Sequence, residues 1–214
     1  MSVNSQSEEI NMEKDAFTVI ATRHSTRKFK PEMVEEALLE KVIEAGRRAP
    51  SGKSKNTNHF LVIRDAAVLE KLVNLVRSEF AKMDITPDNQ DNIGGAIKLS
   101  KKGNYVFKYN APVLIVVANK KNYGNNMADA CAAMENMLLA ANALDLGACW
   151  INQLRWLRDN PVLVDSLHSL GMKEDEWVCA SVSLGYPDMP DGLPNRNITT
   201  IKGNEVTYIG DNHG

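Results

Sequence analysis

The feature that most constrains the fold is an unbroken apolar run, PVLIVVA, at residues 112–118. It is rich in β-branched residues and has no polar alternation. Runs of this kind are typical of a strand that is covered on both faces of its sheet. We therefore expect a sheet with apolar layers packed above and below this strand.

Other segments show helical or strand patterns in mixed order. Helices are predicted for residues 15–23, 31–49, 66–83 and 161–170, and strands for residues 59–65, 176–185 and 205–209. Pro31 suits the first turn of its helix, and Pro50 limits the end of the same helix. Residues 84–104 are predicted to form a flexible excursion with at most one short helix.

A second long apolar segment, residues 127–146, is predicted to form a helix that is apolar almost all round. Four polar residues interrupt it: Asp129, Glu135, Asn136 and Asn142. Such a helix is buried in a core or at a subunit interface, and the interruptions argue against a membrane span. GACWI, residues 147–151, follows as a turn into a short extended piece.

The predicted elements show no regular βαβ alternation, no internal repeat and no linker. This order favours one α+β domain at residues 15–214. Residues 1–14 are polar and lack the apolar run of a secretory signal. We interpret them as a disordered tail.

Charge and cysteine content exclude several classes of protein. The net charge is -2, with 25 basic and 27 acidic residues, which argues against a nucleic-acid binder. The three scattered cysteines argue against a disulfide framework and a structural zinc site. We expect reduced thiols in a cytoplasmic protein that has neither a membrane nor a nucleic acid as partner.

Common catalytic and nucleotide motifs are absent from the sequence. It contains no G-x-G-x-x-G, no Walker loop, no G-x-S-x-G and no histidine pair with metal-ligand spacing. If the protein is an enzyme, its reactivity is expected to come from a bound cofactor.

Two stretches have the composition of anion-binding or ligand-binding loops. RHSTRKF, residues 23–29, places two arginines around hydroxyl residues, which suits a phosphate and equally suits a solvated helix C-terminus. APSGKS, residues 49–54, is a stiff turn of small residues that a flat ligand could approach. On spacing alone, a plain surface loop is the favoured interpretation of that turn.

Together these stretches resemble the nitroreductase family of FMN enzymes. Three later stretches extend the likeness: GNYVF at 103–107, MENMLLAANALDLGACWI at 134–151 and SLGYPDMPDGLPNR at 183–196. The five stretches occur in the order that the family shows, over residues 17–196. The resemblance implies a mixed, mainly antiparallel sheet flanked by helices, in an interlocked homodimer with FMN at the interface.

The resemblance also implies roles for individual residues. Arg23 and Ser25, with His24 beside them, would contact the phosphate and ribityl chain, and Arg196 would complete the phosphate clamp. Arg27 would lie near the N1 and O2 edge of the flavin, where a cation stabilises the reduced anion.

Two further groups would contact the flavin ring. The loop is expected to reach it from the partner subunit through Pro50, Ser51, Gly52, Ser54 and Asn56. The turn after the central helix is expected to pack on the ring through Trp150, Ile151, Asn152 and Gln153. The chain departs from the family at Asn58, where a tryptophan is common, and at Pro194, where a second cation is common.

The implied activity is an FMN-dependent oxidoreductase that uses NADH or NADPH. Hydride transfer through flavin N5 would reduce nitroaromatic, quinone or flavin-type acceptors in a ping-pong cycle that needs no protein acid or base. Alternatives are other flavin chemistry, such as dehalogenation or flavin fragmentation, and a non-redox module that binds a phosphorylated metabolite.

Overall fold

A computed structural model describes residues 14–210 of the chain. Its centre is an antiparallel sheet of four strands in the order β1-β2-β4-β3. The strands are β1 (His59–Ile63), β2 (Val113–Lys120), β3 (Gly147–Ile151) and β4 (Glu176–Gly185). In β2 all residues but Lys120 are buried, which confirms the prediction of a strand covered on both faces.

Two layers of helices enclose this sheet. The helices are α1 (Ala16–Thr22), α2 (Glu36–Arg47), α3 (Ala66–Ala81), α4 (Gly94–Lys101), α5 (Asn126–Ala143), α6 (Gln153–Trp156) and α7 (Pro161–Ser169). One apolar core lies between the sheet and α2 and α5, and the other lies between the sheet and α3, α4 and α7. The architecture is the α+β arrangement that the sequence predicts.

Side-chain caps fix the starts of three helices. Asp15 accepts hydrogen bonds from the backbone N–H groups of Phe17 and Thr18, Asp65 caps α3 and Asn160 caps α7. These side chains satisfy amide donors that have no partner inside the helix. The predicted starts at residues 15, 66 and 161 are therefore confirmed to within one residue.

The predicted start of α2 at Pro31 is wrong. The helix begins at Glu36, because the chain before it is held in an extended conformation against a later segment. Lys30 donates its N–H to Tyr186 O at 2.9 Å, and Phe29 forms a β-bridge with Pro187. These long-range contacts override the local preference of Pro31.

The predicted strand at residues 205–209 does not form. The segment has no regular secondary structure and is exposed, with Val206 at 71%, Tyr208 at 92% and Ile209 at 97% exposure. A strand needs a hydrogen-bonded neighbour, and the residues at 14–210 supply none for this segment.

Helix α5 packs across the sheet and confirms the predicted buried helix. Met134 and Met137 have no exposed surface, whereas Ala128 and Glu135 on its other face are exposed. Within residues 14–210, no helix combines the length and the apolar content that crossing a membrane requires. Of the predicted tail at residues 1–14, residues 1–13 lie outside the described residues. Lys14 is described, and its ammonium lies 2.6 Å from Asp145 Oδ1.

Candidate functional site

The segment at residues 23–27 follows α1 and lies directly against β3. Ser25 forms a parallel β-bridge with Ala148, and Thr26 donates its N–H to Ala148 O at 2.9 Å. The approach is close because residue 147 is glycine: a Cβ there would lie 2.7 Å from Thr26 Cγ2. The backbone of β3 thus sets the position of the RHSTRKF stretch.

The cations of this segment remain accessible to solvent. Arg23 is half-buried, with Nε 4.0 Å from Glu135 Oε1, and the exposed Arg27 lies 5.9 Å from the ring centre of Tyr109. Ser25 is exposed between them. The guanidinium and hydroxyl donors therefore face a region that a phosphate could enter.

Arg196 lies beside this segment although it is far away in sequence. Asn197 O lies 2.8 Å from His24 Nε2, and Thr199 donates its N–H to Ala21 O at 2.8 Å. The structure therefore brings Arg23, Ser25 and Arg196, to which the resemblance assigns the phosphate, into one region.

The Arg196 guanidinium is held by two oxygen atoms. Its Nη1 lies 2.5 Å from Asn142 Oδ1, and its Nη2 pairs with Asp145. Asn142 is 3% exposed and donates its amide to Val19 O at 2.9 Å, so it connects Arg196 with α1. A guanidinium has five donors, and these two contacts leave others for a ligand.

The carboxyl of Asp145 has its pKa below the ordinary value. Partial burial raises this pKa. Hydrogen bonds and charge attraction from Lys14 and Arg196 together lower it by more than burial raises it. Asp145 is therefore ionised near neutral pH and neutralises part of the positive charge of Arg196.

The end of β3 and the residues that follow it, 150–153, are ordered by side-chain hydrogen bonds. Trp150 Nε1 donates to Asn152 Oδ1 at 2.9 Å, and Gln153 Nε2 donates to Tyr105 OH at 2.6 Å. Burial raises the pKa of Tyr105 to about 12, so its hydroxyl stays protonated. Gln153 Oε1 is buried without a hydrogen-bond partner among the described residues, so an acceptor remains unused in this segment. Ile151 is buried within the sheet.

Cys149 lies next to the RHSTRKF segment but is poorly suited to redox chemistry of its own. The thiol is 2% exposed, and burial raises its pKa despite the nearby Arg27, Ser25 and Arg23. A thiol with a raised pKa is a weak nucleophile. Its burial in β3, beside the RHSTRKF segment, indicates that Cys149 serves in packing.

The loop at residues 50–56 is held against the start of α5. Gly52 donates its N–H to Asp129 Oδ1 at 3.0 Å, and Tyr123 donates its hydroxyl to Gly52 O at 2.9 Å. A Cβ at residue 52 would collide with the Asn125 amide and lie 2.5 Å from the Tyr123 hydroxyl. Only glycine fits here without displacing these side chains.

The remaining loop residues form a strained turn. Lys53, Ser54 and Asn56 have positive φ angles of 54°, 51° and 48°, a conformation unusual for residues other than glycine. Ser51 Oγ donates to Asn56 Oδ1 at 2.8 Å and accepts from Asn56 N at 3.0 Å. Pro50 is exposed beside an open cleft of about 500 Å³ that Ser51 and Asn56 line.

Within one chain the structure does not bring this loop to the other predicted site residues. The loop leads into β1 at one edge of the sheet, whereas residues 23–27 and 150–153 lie at the β3 edge. Three strand spacings separate these edges, about 14 Å. Arg196 is also distant, since it contacts α5 at Asn142 whereas the loop contacts α5 at Asp129, thirteen residues or about 20 Å earlier.

Sequence reasoning missed two residues that build this region. Asn58 stands where the family often has tryptophan, and it donates its amide to Asp129 O at 3.0 Å and accepts from Asn119 at 2.8 Å. Asn142 was noted only as a polar interruption of an apolar helix. A buried amide on such a helix needs hydrogen-bond partners, so its position could have indicated a structural role.

The donor set suits a phosphate-bearing ligand more than a metal ion. In the described part of the chain, no three histidine, cysteine or acidic residues are grouped as metal ligands. The β3 edge offers arginine forks and a serine hydroxyl, and Glu135 and Asp145 are the carboxylates that pair with these arginines among residues 14–210. These donors fit the dianionic phosphate of FMN.

Comparisons with known proteins identify relatives of this chain. Two archaeal proteins share the name "Putative NADH dehydrogenase/NAD(P)H nitroreductase". The Methanothermobacter thermautotrophicus protein is 31% identical over 177 residues, covering 81% of this chain and 78% of the relative. The Archaeoglobus fulgidus protein is 28% identical over 185 residues, covering 81% of this chain and 86% of the relative.

A solved structure with the same fold is a nitroreductase with bound FMN from Bacteroides fragilis. It superposes with a TM-score of 0.80 at 30% identity, covering 92% of this chain and all of the other. The sequence profile described as "Nitroreductase family" matches residues 20–186, most of the chain. That match runs from the last turn of α1 to just past the end of β4, and on this ground the chain belongs to the nitroreductase family.

Proposed function

We propose that this protein is an FMN-dependent oxidoreductase that takes electrons from NADH or NADPH and reduces a small acceptor, of the nitroaromatic, quinone or flavin type. The observation that carries the proposal is the convergence of Arg23, Ser25 and Arg196 at the β3 edge. Family membership supports FMN as the ligand of that region.

The phosphate of FMN is assigned to Arg23, Ser25 and Arg196, with His24 beside them. Arg23 and Arg196 are only partly exposed, so a phosphate between them is shielded from bulk water and bound more strongly. Arg196 arrives already oriented by Asn142 and Asp145. This preorganisation reduces the entropy lost when the ligand binds.

The flavin ring is assigned to the segment at residues 150–153 and to Arg27. Bound FMN would supply hydride chemistry at N5. The chain contributes a fixed positive charge at Arg27, which favours negative charge on the pyrimidine side of the ring. The Tyr105–Gln153 and Trp150–Asn152 hydrogen bonds hold the backbone of the segment in place. We assign no protein group as acid or base.

We further propose that the active form is a homodimer. The loop at residues 50–56 lies at the sheet edge opposite Arg23, so a second chain is the simplest way to bring it to the flavin. The exposed apolar residues of the C-terminal segment, Val206, Tyr208 and Ile209, support an interlocked pair. The outer edge of β1, unpaired within the described chain, offers such a segment a partner.

The test is the visible spectrum of the purified protein, followed by release and chromatographic identification of the chromophore. We expect bound FMN that bleaches when NADH or NADPH is added without oxygen, and recovery of its colour with a quinone or nitroaromatic. A colourless protein that fails to take up FMN would refute the proposal. If such a protein still bound phosphorylated metabolites through Arg23 and Arg196, we would conclude that it is a non-redox binding module.

The ping-pong mechanism has a separate kinetic test. Parallel lines are expected when the donor is varied at several acceptor concentrations, because donor and acceptor would use the same place in turn. Intersecting lines would indicate a ternary complex and contradict a shared site.

A further inference from the structure

A second groove lies between α3 and the segment at residues 106–112. It has a volume of about 480 Å³, and none of the residues assigned to FMN lines it. One wall is a helical stripe of α3 from Ala66 to Arg77, which is about 16 Å long. The opposite wall includes Val106, Lys108 and Pro112.

Lys108 is the unusual residue of this groove. It is 8% exposed, and the one hydrogen bond recorded for its ammonium within residues 14–210 goes to Ala111 O at 2.7 Å. Within the same residues, no carboxylate lies within 4.0 Å of it. Burial lowers the pKa of Lys108, since the ammonium has lost water without gaining a counter-ion.

An ammonium has three donors, so two of those on Lys108 lack a protein acceptor in the described part of the chain. Buried charges in proteins are normally paired. A bound anion would supply both the missing charge and the missing acceptors.

The other charged residues of the lining also favour an anion. Arg64 and Arg77 lie towards opposite ends of the α3 stripe, and Glu70 is the only acidic residue among the lining residues. Arg64 pairs with Glu36 outside the groove, whereas the Arg77 guanidinium donates to the amide oxygen of Asn74 and has no carboxylate partner within the described part of the chain. With Arg64 neutralised by Glu36, Lys108 and Arg77 against the single carboxylate of Glu70 still give the groove a net positive charge.

The apolar part of the groove restricts the kind of anion. Leu69, Val73 and Val106 form its walls, and a small inorganic ion would leave these surfaces uncovered. Apolar walls with a few placed polar groups are typical of sites for organic ligands. We propose that this groove binds a monocarboxylate with an apolar body, its carboxylate on Lys108 and Arg77.

This proposal goes beyond the flavin chemistry and does not rest on it. The first experiment is calorimetric titration with decanoate of protein that is saturated with FMN, so that the arginines of the flavin site are already occupied. We expect one site per chain and binding at least about tenfold weaker for decanol, which has the same chain without the charge. The absence of decanoate binding up to about 5 mM, or equal binding of decanol, would overturn the proposal.

Variants on one face of α3 locate the site. Arg77→Glu is expected to weaken decanoate binding about tenfold, and Glu70→Gln to strengthen it about threefold by removing repulsion. Lys71→Glu is the matched control, because it makes the same charge change on the same helix at an exposed residue outside the groove. Equal weakening by Arg77→Glu and Lys71→Glu would indicate general surface charge and contradict the site.

Lys108→Met tests the central residue. Since the change also removes the bond to Ala111 O, its unfolding in urea and its FMN content are measured beside the titration. We expect loss of decanoate binding with the flavin retained. Unchanged binding in a folded Lys108→Met variant would refute the assigned role of the ammonium.

Discussion

Gly147→Ala tests whether the contact between β3 and residues 23–27 determines flavin affinity. The new Cβ would lie 2.7 Å from Thr26 Cγ2 and 2.9 Å from Thr26 Cβ. Thr26 is buried, and its N–H is hydrogen-bonded to Ala148 O, so residue 26 cannot move away from the new Cβ by itself. Carbon atoms pack at about 3.5–4.0 Å, and the segment must therefore retreat by about 1 Å.

The expected magnitude has two parts. Overpacking of this kind lowers the free energy of unfolding by about 1–3 kcal/mol. The retreat also moves Arg23 and Ser25 away from the phosphate, and a hydrogen bond to a charged group contributes about 1.5–3 kcal/mol. Loss of one such bond raises the Kd for FMN roughly 10- to 100-fold.

The assay is titration of the apoprotein with FMN, followed by flavin fluorescence, together with urea unfolding of the same apoprotein. Gly95→Ala is the matched control: a Cβ there meets nothing within 4 Å, and this helical residue needs no positive φ. The control should leave the Kd unchanged and raise the free energy of unfolding by up to about 1 kcal/mol. A Gly147→Ala protein with the wild-type Kd and stability would refute the reasoning.

A double-mutant cycle separates the contact from other effects. Thr26→Gly removes the three atoms nearest to the new Cβ. The double variant should therefore unfold with a higher free energy than the sum of the single changes predicts. If the changes in the free energy of unfolding were strictly additive, Gly147→Ala would not act through its contact with Thr26.

Three further predictions follow from the exposed tail, from Asp145 and from the cysteines. Truncation after Asn197 removes the exposed apolar segment, and light scattering should then show a monomer that has lost FMN; an intact flavin-bound dimer would contradict the interlocked pair. The lowered pKa of Asp145 stabilises the fold fully above its ordinary value of 3.8, and this contribution is lost as the pH falls through the lower folded value. Asp145→Asn should therefore unfold in urea with a weaker acid dependence than wild type, and identical profiles would count against the ion pair. Burial raises the pKa of Cys149, and that of Cys179 to about 11, so iodoacetamide should spare both in the native protein and modify both in urea, as peptide mass spectrometry would show.

Local patterns predicted much of the secondary structure. The strands β1 and β4 and the helices α1, α3 and α7 were predicted within about two residues, because their caps and apolar periodicity lie within each segment. The GACWI stretch was predicted as a turn and a short extended piece, and it forms the full edge strand β3. Its length depends on pairing with β4, which periodicity within one segment does not reveal.

Long-range contacts account for what the sequence could not predict. The strand order β1-β2-β4-β3 depends on pairings between residues far apart in sequence. The extended course of residues 28–30 depends on the distant Tyr186 and Pro187. The site residues came from the family resemblance, since RHSTRKF alone was equally compatible with a solvated helix end. Their placement on opposite edges of the sheet required the structure.

The polar residues of α5 explain how one helix can organise both edges. Asp129 holds the Gly52 loop, and Asn136 donates its amide to Ala45 O at 3.0 Å near the end of the helix that leads into that loop. On the same helix, Glu135 approaches Arg23 near the middle and Asn142 orients Arg196 near the end.

Each interruption of the apolar pattern of α5 therefore contacts a segment assigned to FMN binding, or one that leads into it. A helix selected for packing alone would carry apolar residues at buried positions such as 129 and 142, because buried polar groups are unfavourable unless hydrogen-bonded. Their presence is explained if α5 serves as the common support of two half-sites, with the Gly52 loop held near its start and Arg196 near its end. Two such helices, from two chains, would then position both halves of each flavin site.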